Sequence, residues 1–356
     1  MEAPKFFNLD IEPTNRCNAS CYFCPRDQTP HQGLMSMEVF EQTLVRTIEF
    51  RSVVAEIFGA ETTMKVNFCG LGEPLLNKHT PAFVRRVREA GFECSISSNA
   101  ALLDEDRGEA LLEAGLQGIE INVGEEGEAY EEVYRLPFER TYDNVVRFAE
   151  MAGDDCRVSV VLVNHRRDAD HQSKMKEFWR ERGIKHFHPF EIMNRGGALF
   201  VDHMQFEAYP ELAEARAIFE QRGVVPVCPV PFVYLFVGYD GQYYLCCSDW
   251  RKEAPLGSVF DESFLSITQE KLDEVLTREP VCKSCNLDPF NLLTEQLRAV
   301  KAGESDESET SRMVDRLISG DEQARHVVQR LEPLGIGRLS ATNSSAEKKR
   351  IPLRVV

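Results

Sequence analysis

The chain has 356 residues, 43% hydrophobic and 28% charged, enough to bury a core in one or two domains. Its formal net charge of −17 repels phosphate backbones, which disfavours nucleic-acid partners and would draw in a cationic substrate. The longest apolar runs, such as Val158–Val163, fall far short of the ~20 residues of a membrane helix, and Met1–Lys5 lacks the features of a secretion signal, so a cytoplasmic protein with no membrane partner is expected.

Strand-like and helix-like patterns alternate through the first two hundred residues. Strands are predicted at Phe6–Ile11, Met64–Cys69, Phe92–Ser97, Gly118–Val123, Arg157–Val163 and His186–Ile192. Helices are predicted between them at Met37–Phe50, Thr80–Ala90, Glu105–Ala114, Glu128–Met151 and Ala169–Glu181. This alternation points to an α/β fold, a parallel sheet covered by helices. Six strands are too few for an eight-stranded barrel, so an open, partial (β/α)6 barrel is expected, with its chemistry at the C-terminal strand ends. A helix at Pro210–Arg222 leads to a hairpin, Phe232–Gly238 and Gln242–Cys246 around Asp240-Gly241. A further helix, Ser266–Thr277, precedes Cys282 and Cys285, giving a small domain of the size that needs a metal staple. Leu292–Lys301 reads as a helix, Gly303–Thr310 as an acidic linker, Ser311–Leu331 as one or two amphipathic helices, and the last fifteen residues as disordered.

The chain has eleven cysteines. In a chain without a secretion signal, clustered cysteines more often bind metal than form disulfides. Cys17, Cys21 and Cys24 fall in one short loop after the first strand. A closed iron–sulfur site uses four thiolates, so three leave one iron open to a small molecule. Zinc is the competing reading, but its structural sites prefer four ligands. Cys228, Cys246, Cys282 and Cys285 form a second set, which on spacing alone suits zinc and a 4Fe–4S cluster equally. Cys247 is surplus, because adjacent strand residues point to opposite faces. Cys69, Cys94 and Cys156 are expected to pack as small hydrophobes, and His186 and His188 to pack inside the barrel. His165 follows the fifth strand on the expected active face.

The first loop resembles that of the radical S-adenosylmethionine (SAM) superfamily, down to the aromatic Phe23 before its last cysteine. The resemblance implies that an open iron chelates SAM's methionine moiety, and that SAM is cleaved to a 5′-deoxyadenosyl radical which abstracts hydrogen from substrate. It makes Gly72-Glu73-Pro74 the segment that binds the methionine ammonium and Ser98-Asn99 a SAM contact, with Ala100 where the family commonly has glycine. The second cysteine set is similar to the twitch form of the SPASM domain, implying one auxiliary 4Fe–4S cluster on Cys228, Cys246, Cys282 and Cys285. The implied division is a barrel at 1–205, a linker helix at 206–225, an auxiliary-cluster domain at 226–290, and a helical extension with a flexible tail at 291–356.

Asn194-Arg195-Gly196-Gly197 is similar to a segment of the superfamily's dehydrogenases that act on 2-deoxy-scyllo-inosamine in aminoglycoside antibiotic biosynthesis. That similarity implies that Arg195 contacts the oxygen being oxidised. It also implies an oxidoreductase acting on a small, cationic aminocyclitol or sugar, served by a flavodoxin- or ferredoxin-type electron donor. Those dehydrogenases carry a substrate-binding glutamate where this chain has Ser248. The alternatives are an epimerase of a sugar or peptide residue, with Cys247 returning a hydrogen atom, and a peptide maturase. The last is less expected, because the first strand begins by residue 6 and leaves no space for a peptide-recognition domain. A non-catalytic electron carrier would lack the SAM-site residues.

Overall fold

Residues 6–29, 31–252, 255–278 and 280–331 are described by a computed structural model. Along β1 (Phe6–Ile11), Phe7, Leu9 and Ile11 are fully buried against helices, while Asn8 and Asp10 take the opposite face of the pleat. The same alternation continues in β2 (Thr63–Phe68) and β3 (Glu93–Ser98), where Val66, Phe68, Cys94 and Ile96 face the helices. With β4 (Gly118–Asn122), β5 (Arg157–Val163) and β6 (His186–Phe190) they form six consecutive parallel strands. The parallel register leaves one face to the helices and turns the other into the barrel lumen.

The sheet does not stop at β1. The strand β7 (Tyr234–Val237) pairs parallel with it, Asn8 opposite Tyr234, and β8 (Gln242–Tyr244) and β9 (Gly257–Ser258) follow antiparallel. The order is β6-β5-β4-β3-β2-β1-β7-β8-β9, an open sheet with the hairpin built onto the barrel's first strand. One core runs through both regions, from Phe40 and Phe83 to Tyr243, Phe264 and Ile267. A buried ion pair also joins them: Glu12, just past β1, accepts from the Leu71 amide at 2.9 Å and pairs with Lys252 beyond the hairpin.

The helices depart from expectation in three places. Helix α1 (Met37–Phe58), capped by Ser36, runs past Phe50 because Phe50, Val54 and Phe58 prolong the buried stripe. After α2 (Thr80–Glu89) and α3 (Glu105–Glu113), the single helix expected over Glu128–Met151 is two, α4 (Gly127–Tyr134) and α5 (Phe138–Ala152). Arg135 caps the first at φ 57° and Pro137 cannot continue it. Third, Gly303–Thr310 is not a linker along its length, since α12 (Glu307–Leu331) already begins within it. The remaining helices are α6 (Ala169–Arg180), α7 (Glu211–Gln221), α8 (Val230–Val233), α9 (Thr268–Thr277), α10 (Pro280–Ser284) and α11 (Pro289–Ala302).

Leu212 and Phe219 of α7 pack with Phe290, Leu293 and Leu297 of α11 and Val314 of α12 in a satellite cluster. The last fifteen residues lie outside the described ones. Among the described residues, no helix is long and apolar enough to cross a membrane.

Candidate active site between two cysteine clusters

The Cys17–Cys24 loop is folded by local polar bonds. Thr14 Oγ1 donates to the Gly33 carbonyl and Asn15 Nδ2 to that of His31, each at 2.6 Å, while Arg26 donates to the Cys17 carbonyl at 2.9 Å. Gly72 lets the chain after β2 approach this loop: a Cβ there would lie 2.3 Å from the Arg16 carbonyl oxygen. Burial pushes the Cys17 thiol up to about 11 and Cys21 to about 12, with neighbouring thiols adding to it, and raises Cys24 as well. Three such thiols become thiolates together only beside a cation, which is what an iron–sulfur cluster supplies.

Glu73, 2% exposed, ties the ends of β2 and β3 together. Its carboxylate accepts from Ser98 Oγ at 2.8 Å, the Asn99 amide at 2.8 Å and the Leu75 amide at 3.1 Å. Burial raises its pKa and these donors oppose the rise. A carboxylate has about four acceptor positions, so one remains for an ammonium. Pro74 opens the buried turn beside it, and Asn99 Nδ2 donates to Asn18 at 2.8 Å within the cysteine loop. Ala100 sits at φ 59°, the left-handed conformation that explains a glycine preference there.

Phe23 stacks on His165 at 5.5 Å between ring centroids, and Tyr22 bonds His165 Nδ1. Behind them Glu125 holds His165 Nε2 at 2.7 Å and Arg166 through two bonds of 2.7 and 3.0 Å. Glu125, His165 and His171 have the spacing of a metal site, but Arg166 already occupies the carboxylate.

The lumen below is polar. Asp10 is buried and accepts from Asn8 at 2.6 Å, with Asn67 and the Cys69 thiol close by. Burial pushes it up to about 6, its hydrogen-bond donors oppose the rise, and Glu120 adds to it. Ser97 Oγ donates to Glu120 at 3.3 Å. Cys69 is therefore a lumen residue beside Asp10 and Cys247, which corrects the packing expected of it, whereas Cys94 and Cys156 are buried. His186 and His188 are corrected too. They lie on the edge strand β6, where no further strand covers them, and both are exposed.

Cys228, Cys246, Cys282 and Cys285 line one small pocket, closed by Val230, Pro231, Val281 and Leu287. The Ser248 amide donates to Cys246 Sγ and the Leu287 amide to Cys285 Sγ, each at 3.4 Å. Four thiols around one cavity with amides on their sulfurs fit a closed cluster. Cys247 points the other way, to Asp10, Cys69 and Arg195, and burial pushes it up to about 11.

The Asn-Arg-Gly-Gly segment explains how barrel and pocket meet. Asn194 exchanges bonds with Asn286 at 3.1 and 3.2 Å and donates to the Ser284 carbonyl at 2.5 Å. Gly196, at φ 59°, leaves room only for hydrogen: a Cβ would lie 2.3 Å from Val281 and 2.8 Å from the Ser248 carbonyl oxygen. Gly197 also approaches Ser284, where a Cβ would lie 2.7 Å from the serine Cβ. Arg195 is left to project. Its guanidinium lies 4.6 Å over the Trp250 ring, which packs on Cys24, and the adjoining Gly196 abuts Val281 of the auxiliary pocket, so Arg195 stands between the two cysteine sets. Trp250 packs on Leu71, Ala198 and Cys24, and its indole N–H has no partner among the described residues.

Asp10, Glu120 and Trp250 belong to no motif in the sequence. Polar residues at alternate positions of parallel strands, which normally read as continuous apolar runs, were the available signal.

Residues 11–177 match the Radical SAM superfamily, and residues 228–286 match SPASM, an iron–sulfur cluster-binding domain. A probable GTP 3′,8-cyclase of Methanothermobacter marburgensis is 31% identical over 182 residues, 49% of this chain and 54% of that protein. The chain thus spans little more than half that relative's length. The structure of BtrN in complex with AdoMet and 2-DOIA aligns with 80% of this chain and 94% of its own at 17% identity and a TM-score of 0.50. That of anSMEcpe with bound AdoMet aligns with 92% and 99% at 15% identity and a TM-score of 0.56. At these identities the likeness is one of fold.

Proposed function

We propose a reaction from the premise that this chain belongs to the radical SAM superfamily and carries a SPASM domain. It takes a SAM-binding 4Fe–4S cluster, an auxiliary iron–sulfur cluster and SAM. Its reaction is the oxidation of a secondary alcohol on an aminated ring, a cyclitol or sugar of natural-product biosynthesis, in the reducing cytoplasm. Cys17, Cys21 and Cys24 hold the first cluster, and Cys228, Cys246, Cys282 and Cys285 the second. Glu73 receives the methionine ammonium, with Gly72, Pro74, Phe23, Ser98 and Asn99 shaping the SAM pocket. When bound, these groups supply a radical that takes one hydrogen atom and an acceptor that takes the remaining electron.

The observation that carries the reading is Arg195, set between the two cysteine sets above an acid-lined lumen. The guanidinium orients the alcohol oxygen. Asp10 and Glu120 receive the ammonium, and Asp10, poised near neutral pH, can take the proton the alcohol loses. The acid lining argues against a triphosphate such as GTP, whatever the cyclase relative acts on. BtrN, whose structure holds 2-DOIA, supports a small ligand in this fold.

Cys247 favours a second reading, because it faces the lumen and not the auxiliary pocket. There it would return a hydrogen atom, giving an epimer of a sugar or peptide residue. An anaerobic screen of aminocyclitols and amino sugars with SAM and a strong reductant separates the two. A product lighter by two hydrogens is expected. A product of unchanged mass that gains one deuterium in heavy water would replace oxidation with epimerisation.

A further inference from the structure

Two buried groups beside the auxiliary pocket have no task in the scheme above. The first is Ser248, 1% exposed, which lines the pocket with the four cysteines. Its hydroxyl has no hydrogen-bond partner among the described residues. A buried hydroxyl left unsatisfied costs stability, so its orientation toward a pocket of sulfur needs a reason.

The second is Lys271 of α9, 2% exposed. Its ammonium donates to the Pro231 carbonyl at 2.9 Å, and Pro231 is a wall of the same pocket. Among the described residues no carboxylate pairs with Lys271, whose polar contact is the Pro231 carbonyl. The pocket's carboxylate, Asp288, is already matched by Arg278 at 2.8 Å. On the other side of the hairpin strand, Arg195 faces Cys247. A buried cation without a counter-ion is costly unless an anion lies beside it, and four cysteine thiolates around a cluster form such an anion.

We propose that Ser248 and Lys271 tune the auxiliary cluster, the hydroxyl by hydrogen-bonding a sulfur in the pocket it lines and the ammonium by placing an uncompensated positive charge beside the pocket wall. Hydrogen bonds to sulfur and nearby positive charge both stabilise the reduced, more negative state, so both residues raise the cluster's potential and favour its accepting an electron. The inference rests on the presence of the auxiliary cluster and not on the alcohol-oxidation reading.

The test is an EPR-monitored redox titration of the full chain, reconstituted without oxygen. The cluster whose signal does not respond to SAM is the auxiliary one. Lys271→Met is expected to shift its reduction equilibrium about tenfold toward the oxidised form, ~59 mV for a one-electron couple. Ser248→Ala should shift it less, in the same direction, while Ser248→Thr and Lys271→Arg stay near the parent. Unchanged potentials in both Ser248→Ala and Lys271→Met, at equal iron content, would overturn the proposal. If Lys271→Met loses its iron, Ser248→Ala against Ser248→Thr decides. The titration uses no substrate, so a failure of the alcohol-oxidation reading leaves its outcome intact.

Discussion

The two cysteine sets use the same ligand in different ways. The Cys17–Cys24 loop is folded largely by bonds within Thr14–Gly33, with Asn99 anchoring it through Asn18, presents three thiols, and stands at the mouth of the barrel. The auxiliary pocket is assembled from three distant stretches of chain, fastened by Asn194 to Asn286 and Ser284, and presents four thiols behind apolar walls. A local loop can leave an iron open, whereas a pocket built by tertiary contacts encloses its metal. What lies between the two, Arg195 over Trp250 and the Asp10–Cys69–Cys247 group below, is where a substrate would meet both.

The sharpest way to break this contrast is at the joint. Gly196→Ala imposes a left-handed alanine and an overlap with the Ser248 carbonyl oxygen and Val281, together about 3–5 kcal/mol. Iron analysis should find the auxiliary cluster lost and the SAM-binding cluster kept. Next is the lumen. Asp10 has its pKa raised in the folded state from 3.8 to about 6, so its contribution to stability is full below pH 3.8 and is lost as pH rises through 6. Asp10→Asn keeps an oxygen for Asn8 and Asn67. In thermal or denaturant melts it should exceed the parent by at most about 3 kcal/mol above pH 7, with the difference closing toward pH 4. The same substitution should weaken an aminated substrate. Arg195→Ala should lower product formation about a hundredfold, ~2.7 kcal/mol, while deoxyadenosine still forms, because Arg195 is neither a cysteine ligand nor one of the residues assigned to the SAM pocket. The smallest effect is at Ala100, where glycine relieves the φ of 59° at some cost in chain entropy, a gain of about 0.5–1 kcal/mol in melting experiments.

The open site was legible because its ligands sit within one turn of sequence and its supports, Glu73 and Ser98-Asn99, sit at strand ends. The strands were legible for the same reason, their apolar residues alternating along short segments. The pocket's four cysteines could be picked out, but not what surrounds them: Ser248 and Lys271 reach the pocket from a hairpin end and a separate helix. The role of Asn194 and the glycines was hidden too, since a reciprocal amide pair across ninety-two residues leaves no local pattern. Cys69 was misjudged because strand periodicity gives the face of a residue but not which face is solvent, core or lumen. The pairing of β7 with β1 was likewise invisible, since a hairpin predicts its own partner strand and not the sheet it joins.

The contrast between open and closed sites is tested most directly by comparing Cys21→Ala with Cys282→Ala after anaerobic reconstitution, counting iron and measuring 5′-deoxyadenosine with SAM and a strong reductant. The parent should hold about eight irons. Cys21→Ala should hold about four and make no deoxyadenosine, and Cys282→Ala about four and still make it. Deoxyadenosine from Cys21→Ala, or none from Cys282→Ala with its other cluster intact, would contradict the division of labour between the two sites.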